Sequence, residues 1–259
     1  MKTILSKTVN IDNCSIHYLT AGQGEPLLLI HGYGGEAEKW INNIGVLAEK
    51  YTVYAPDLPG FGNSQPLTGT YYIPELAAFV ESFVEHLGLT SFYLVGHSLG
   101  GGISLNYALR YPGRIKKLVL VSSLCLGKEI ALWVRMLSRP ARIIGAPVVT
   151  FYKIIKWLGK KIVIPFHLIE PISQSSIDLA AHVATYTQQS LILANRLSEI
   201  MVPTLLVWGA KDSLIPVEHA YTAVRQIPEC RIKVFKDYGH NLYRDDVGQF
   251  SQALTAFLG

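Results

Sequence analysis

Charged residues are scarce in this chain, and their scarcity excludes several classes of protein. Only 16% of the 259 residues are charged, whereas 49% are hydrophobic. This balance suits a folded domain with a large apolar interior and excludes a disordered or fibrous protein. The formal net charge is only +4, and no Lys/Arg-rich block interleaved with aromatic residues marks a nucleic-acid surface. We therefore expect no nucleic-acid partner.

Cysteines and long apolar runs are also few. The chain has three cysteines, Cys14, Cys125 and Cys230. This odd number of widely spaced residues matches neither a disulfide pattern nor a zinc-ligand pattern. We interpret them as buried, reduced thiols, which predicts a cytoplasmic protein. Polar residues 6–8 interrupt the N-terminus before any signal-peptide core forms, and no uncharged apolar stretch is long enough to span a bilayer. We therefore expect neither a signal peptide nor a transmembrane segment.

The most informative stretch joins a strand to a helix through a glycine-flanked serine. The apolar run 92–95 predicts a buried strand, Gly96-His97-Ser98-Leu99-Gly100 follows, and residues 103–110 predict a helix. A serine in so sharp a turn has strained dihedrals and needs flanking residues without bulk, which the two glycines provide. We expect the Ser98 hydroxyl at the carboxyl end of the strand. There the Leu99 N–H and the first helical turn could stabilise an oxyanion.

Strand patterns alternate with helical patterns along most of the chain. An antiparallel hairpin is predicted over residues 7–22, turning at Asp12-Asn13. Further strands are predicted at 27–30, 51–55, 118–123, 202–208 and 231–235, and further helices at 36–50, 74–87, 216–227 and through Phe250, Leu254 and Phe257. This alternation predicts an α/β protein with a parallel sheet and right-handed crossovers.

The stretch Gly96-His97-Ser98-Leu99-Gly100 resembles the nucleophile elbow of the α/β-hydrolase fold superfamily. The loops His31-Gly32-Tyr33-Gly34-Gly35 and Asp57-Leu58-Pro59-Gly60-Phe61-Gly62-Asn63-Ser64 are similar to loops of the same family. The resemblance implies a mostly parallel, eight-stranded sheet with helices on both faces and a helical cap. It also implies that the Tyr33 backbone N–H is the second oxyanion donor, beside that of Leu99. We expect His31 and Asp57 to brace their loops.

A serine hydroxyl needs a base to become a nucleophile at neutral pH, and the base needs a carboxylate to orient it. Asp212 and His240 each lie in a loop just beyond a predicted strand, and the order Ser98, Asp212, His240 is the one expected for this fold. Asp237 is the main rival acid, and we expect it to brace the turn before the histidine. Residues 122–123, the other place where hydrolases of this type hold the acid, are serines.

Residues 124–199 break the alternation with helical patterns interrupted by prolines. Caps are inserted here in the family, so we divide the chain into a core of residues 1–123 and 200–259 and a helical cap of residues 124–199, inserted after the sixth strand. From Ile130 to Ile169 the chain has seven lysines and arginines, five aromatic residues and no acidic residue. This stretch could attract anionic or membrane-surface substrates. We favour solvated lysines on helices that cover the substrate.

Together these features predict a capped serine hydrolase acting on a small, apolar carboxylic ester. Ser98 would attack the carbonyl, His240 would take and return the proton, and the Tyr33 and Leu99 N–H groups would hold the oxyanion. We expect neither a metal nor an organic cofactor. A serine nucleophile does not match the dehalogenases and epoxide hydrolases of this fold, which use aspartate. Two alternatives stay open, a C–C bond hydrolase of ring-cleavage (vinylogous diketone) type and a small-molecule receptor with slow turnover.

Overall fold

An eight-stranded sheet organises the protein in the computed structural model, which describes residues 2–68, 72–127 and 193–259. Its strands are β1 (Leu5–Ile11), β2 (Cys14–Ala21), β3 (Glu25–Ile30), β4 (Tyr51–Pro56), β5 (Phe92–His97), β6 (Ile115–Val121), β7 (Thr204–Gly209) and β8 (Cys230–Phe235). They lie in the order β1-β2-β4-β3-β5-β6-β7-β8. Strand β2 pairs antiparallel with β1 and β4, and the other pairings are parallel. The predicted α/β fold with a mostly parallel sheet is confirmed.

Six α-helices lie in the described parts of the chain. They are α1 (Ile41–Leu47), α2 (Ile73–His86), α3 (Leu99–Arg110), α4 (Glu218–Ala223), α5 (Leu242–Asp245) and α6 (Val247–Leu258). Short 3₁₀ turns occupy Ala37–Trp40, Pro112–Arg114 and Leu197–Glu199. The helices predicted at 36–50 and 216–227 are therefore shorter than expected. Helix α5 has only four residues, too few to show a helical period in the sequence.

Continuous apolar strands supply a core on each face of the sheet. In β3, Leu28 and Ile30 pack on one face and Leu27 and Leu29 on the other, because successive side chains of a strand point to opposite sides. Helices α2, α3 and α4 cover the first face, and α1, α5 and α6 cover the second. The predicted helices on both faces are confirmed.

Helix α3 begins at Leu99, four residues earlier than the sequence predicts. Three successive glycines make residues 100–102 poor helix formers, so propensity favours a later start. Close packing explains the earlier start. A Cβ atom on Gly100 would clash with the carbonyl oxygens of Ile30 and His31, and one on Gly101 would clash with Ser123. The glycines let the first turn of the helix lie directly against the ends of β3 and β6.

The chain leaves the sheet after β6 and returns beside the same point. The amide of Leu124 donates to the carbonyl of Ser98 (3.0 Å), and the amide of Leu193 donates to the carbonyl of Cys125 (2.9 Å). Residues 128–192, most of the predicted cap and its basic aromatic stretch, lie outside the described residues. The division into a core of residues 1–123 and 200–259 and a cap of 124–199 therefore stays a prediction.

The cysteines agree only in part with expectation. All three are free thiols, and Cys14 and Cys125 are buried, but Cys230 is half-buried because it lies on the edge strand β8. The cytoplasmic location inferred from them stays a prediction. No helix in the described ranges is long and apolar enough to cross a bilayer.

Candidate active site

Ser98 sits between β5 and α3 in a backbone conformation that side chains rarely adopt. Its φ of 55° and ψ of −115° are those of a strained turn. Its amide donates to the carbonyl of Val121 (2.9 Å), and its own carbonyl accepts from the amide of Leu124. A Cβ atom on Gly96 would clash with the carbonyl of Gly100. The predicted need for small residues on either side of the serine is confirmed by this close approach.

Two backbone segments that could hold an oxyanion border this serine. Leu99 is the first residue of α3, where an amide has no acceptor within the helix. On the other side lies the loop after β3, since a Cβ atom on Gly32 would be only 3.1 Å from the Cβ of Ser98. Tyr33 follows in that loop. The two backbone segments that carry the proposed donors therefore both lie next to the serine.

Asp212 and His240 are hydrogen-bonded to each other. The loops that carry them are joined by the amide of Lys211, which donates to the carbonyl of Tyr238 (3.0 Å). Nδ1 of His240 lies 2.9 Å from Oδ2 of Asp212, whose side chain is fully buried. Oδ1 of the same carboxylate accepts from the amides of Leu214 (2.9 Å) and Ile215 (3.0 Å). The acid and the base predicted from separate loops are thus brought together.

The surroundings of Asp212 keep its carboxyl group ionised. Burial acts to raise its pKa, but the hydrogen bond and charge of His240, with the two amides on Oδ1, outweigh burial and hold the pKa below its ordinary value. An ionised carboxylate only accepts hydrogen bonds, so Nδ1 of His240 carries the proton and donates it. In the neutral ring Nε2 then has a free lone pair. This is the tautomer that a base toward serine requires.

The bond between serine and histidine is not formed in this structure. Within the described residues, no hydrogen bond joins the Ser98 hydroxyl to Nε2 of His240. Catalytic hydrogen bonds are often long in free enzymes and tighten in the substrate complex. The pairing of Ser98 with His240 stays a proposal. It is supported by a contact between His240 and the residue that precedes Ser98.

His97 makes that contact, and sequence reasoning missed it. Its ring is buried, and its Nε2 lies 2.9 Å from the backbone carbonyl oxygen of His240, with the two ring centroids 4.8 Å apart. Burial and the nearby charge of His240 lower the pKa of His97 to about 3. No signal in the sequence could have found it, because its partner is a backbone oxygen, which no residue type marks.

Asp57 braces its loop, as predicted. It is buried, and its Oδ1 accepts from the amide of Ala37 (2.6 Å). Oδ2 accepts from the amide of Asn63 and from Nδ1 of His17, each at 2.8 Å. None of these partners belongs to the elbow, which supports the exclusion of Asp57 from the triad.

His31 is also a bracing residue, as predicted. It is fully buried, its Nδ1 donates to the carbonyl of Gly32 (2.7 Å), and its Nε2 accepts from the amide of Leu58 (2.9 Å). Both ring nitrogens are therefore occupied by backbone groups. His31 fixes the loop after β3 against the loop after β4, and no nitrogen remains to act as a base.

Asp237, the rival acid, lies at the surface and pairs with a lysine. Its side chain is 82% exposed and forms an ion pair with Nζ of Lys211 at 3.0 Å. This pair links the loop after β7 to the turn after β8 at the protein surface. Asp212 is therefore the carboxylate that holds the candidate base.

Comparison with known proteins shows which family this chain resembles. A family model described as alpha/beta hydrolase fold matches residues 25–146. The chain is 30% identical, over 96% of its length and 68% of the other protein, to the dihydrolipoyllysine-residue acetyltransferase component of the acetoin cleaving system of Cupriavidus necator. It is 28% identical to a 2-hydroxy-6-oxo-6-phenylhexa-2,4-dienoate hydrolase of Burkholderia cepacia, over 96% of this chain and 92% of that enzyme. A crystal structure of a bacterial membrane phospholipase A matches with a TM-score of 0.74 and 26% identity, over 98% and 86% of the two chains.

The buried ring of His97 should make the stability of the fold depend on pH. Its pKa is lowered to about 3 in the folded protein, against about 6.5 in an unfolded chain. Between these values the unfolded chain binds a proton that the folded chain does not. Stability is therefore lost as pH falls through this window, by up to ~1.4 kcal/mol per pH unit.

We expect the free energy of unfolding, measured by urea denaturation from about pH 7 to 5, to fall less steeply in His97→Gln than in the wild type. Other titrating groups, His31 among them, are common to both proteins and cancel in the difference. Equal slopes would show that His97 takes up a proton in the folded state as readily as in the unfolded one.

Proposed function

The chain belongs to the α/β-hydrolase family, and within it we propose a serine hydrolase that cleaves small, apolar carboxylic esters through an acyl-enzyme on Ser98. The observation that carries the proposal is the 2.9 Å hydrogen bond between His240 and the buried Asp212, in loops that follow neighbouring strands. Because Nδ1 donates in that bond, Nε2 of His240 is the nitrogen that can accept the proton of the serine hydroxyl. A strained, glycine-flanked serine at the end of β5 supplies the nucleophile.

In the proposed mechanism Nε2 of His240 takes the hydroxyl proton as Oγ of Ser98 attacks the ester carbonyl. The backbone N–H groups of Tyr33 and Leu99 stabilise the tetrahedral oxyanion. The alcohol leaves with the proton from His240, and the acyl group stays on the serine. Water, deprotonated by the same histidine, then attacks the acyl-enzyme and releases the carboxylic acid.

Asp212 has two tasks in this mechanism. Its Oδ2 fixes the tautomer of His240, and its negative charge stabilises the imidazolium that forms in each step. The amides of Leu214 and Ile215 hold Oδ1, so the carboxylate cannot rotate away from the ring. The acid is thus oriented by its own loop.

A second candidate function is cleavage of a C–C bond in a vinylogous diketone. It is favoured by the similarity to the Burkholderia cepacia hydrolase over 92% of that enzyme. The Asp212–His240 pair suits both reactions, since each begins with attack on a carbonyl. We rank the ester first because its leaving group is an alkoxide oxygen, which His240 can protonate directly, whereas C–C cleavage must protonate a carbon. A slow-turnover receptor is the third candidate.

The nucleophile can be tested by Ser98→Ala. Because only the hydroxyl oxygen is lost, we expect hydrolysis of short p-nitrophenyl esters to fall to the background rate while the circular-dichroism spectrum and Tm are retained. The new residue keeps the same backbone strain, so the turn itself is not altered. Ester turnover that survives in a folded variant would require another nucleophile.

The acid can be tested by comparing Asp212→Asn with Asp237→Asn. We expect the first variant to lose on the order of 10⁴-fold in kcat, because an amide favours the wrong tautomer of His240. The second removes an exposed ion pair and should leave kcat within about threefold of the wild type. The reverse result would make Asp237 the acid.

The reaction class can be tested by measuring kcat/KM for two substrates in parallel, a short p-nitrophenyl ester and a vinylogous diketone of the ring-cleavage type. A serine esterase should prefer the ester by at least an order of magnitude, about 1.4 kcal/mol in transition-state stabilisation. Preference for the diketone would replace the proposal with a C–C hydrolase. Tight binding with negligible turnover of both would point to a receptor.

A further inference from the structure

We propose that His97 is a positioning residue that holds the backbone of His240 and thereby sets the place of its imidazole relative to Ser98. This inference rests on the proposed function of the site. His97 directly precedes the candidate nucleophile and contacts the candidate base, so one side chain joins the two.

The hydrogen bond fixes the tautomer of His97. A carbonyl oxygen can only accept, so Nε2 of His97 carries a proton and donates it to the backbone oxygen of His240. The ring is neutral, because burial and the charge of His240 oppose a second proton. Neutrality matters here, since a charged His97 would repel the imidazolium that His240 becomes during the reaction.

The other ring nitrogen, Nδ1, reduces the stability that a histidine can contribute at this position. Nδ1 is buried and has no hydrogen-bond partner among the described residues. It faces Gly32, on which a Cβ atom would lie 2.9 Å away. A buried polar atom without a partner destabilises the folded state. An apolar ring would avoid that cost, so what distinguishes histidine here is the donor on Nε2.

Ring contacts hold the imidazole in place. Its centroid lies 4.6 Å from that of Tyr243 and 4.8 Å from that of His240, and Tyr243 in turn lies 4.1 Å from Trp40. His97 therefore packs against both Tyr243, which belongs to the core, and the candidate base itself. A ring held by such contacts can fix the position of the carbonyl it binds.

The test compares variants that keep or remove the donor. His97→Gln can place an N–H near the position of Nε2, whereas His97→Phe keeps the ring without a donor and His97→Asn is too short to reach. A matched control is Asn43→Leu, because Nδ2 of the buried Asn43 donates to the backbone carbonyl of Tyr243, three residues beyond His240 (3.0 Å). This control removes a similar bond from the same segment without touching His97.

We expect kcat for the p-nitrophenyl ester to fall by roughly 10²-fold in the Phe and Asn variants, as small displacements of a catalytic group do, with KM nearly unchanged. His97→Gln should stay within about tenfold of the wild type, and Asn43→Leu within about threefold. Tm is measured for each variant, so that only folded proteins are compared. Full activity in both loss variants, or an equal loss in Gln, would overturn the proposal. So would an equal loss in Asn43→Leu.

A second measurement does not depend on the substrate. The Nδ1 proton of His240, bonded to Asp212, should give a far-downfield proton NMR signal, identified by its absence in Asp212→Asn. We expect the signal to persist in His97→Gln and to broaden or vanish in His97→Phe and His97→Asn. Its persistence in both loss variants would overturn the positioning role. Equal ester turnover by the wild type and Ser98→Ala would instead overturn the proposed function, leaving the NMR result to decide on His97.

Discussion

The strained backbone of Ser98 is the constraint on which the rest of the site depends. To turn from β5 into α3 within one residue, the chain must bring the carbonyl of Gly100 against Gly96, where any side chain would clash. The same turn points the first amides of α3 toward the end of the strand. One backbone conformation therefore exposes the hydroxyl and supplies one candidate oxyanion donor.

The parallel sheet brings the other groups to this turn. The carboxyl ends of β3, β5, β7 and β8 lie on the same edge, because these strands run in one direction. The loop with Tyr33 follows β3, Asp212 follows β7 and His240 follows β8. Residues far apart in sequence therefore lie at one edge of the sheet. The direction of the strands places them there, and no short sequence motif is needed. Ligands and reactive groups gather at this edge in open α/β sheets for the same reason.

Features that depend on residues close together in the sequence could be predicted from short patterns. The strand and glycine pattern around Ser98 predicts a sharp turn, and the family resemblance identifies it as an elbow. Polar residues just beyond buried strands, in the chain order that the resemblance implies, nominate Asp212 and His240. The start of α3 was mispredicted because helix propensity penalises its glycines, whereas packing against Ile30 and Ser123 requires them. The contact of His97 could not be predicted, since its partner is the backbone of a residue whose identity does not matter to the bond. The helical cap stays a prediction from sequence.

The adjacent rings of His97 and His240 differ in their surroundings. Both rings have one N–H fixed by an oxygen, but the acceptor differs. His240 donates to an ionised carboxylate, whereas His97 donates to a neutral carbonyl. Burial and the nearby charge of His240 lower the pKa of His97 to about 3, and its Nε2 already donates to a backbone carbonyl, so His97 does not suit the role of base that is proposed for His240. The roles proposed for the two histidines therefore follow from which oxygen each ring binds, rather than from the residue type.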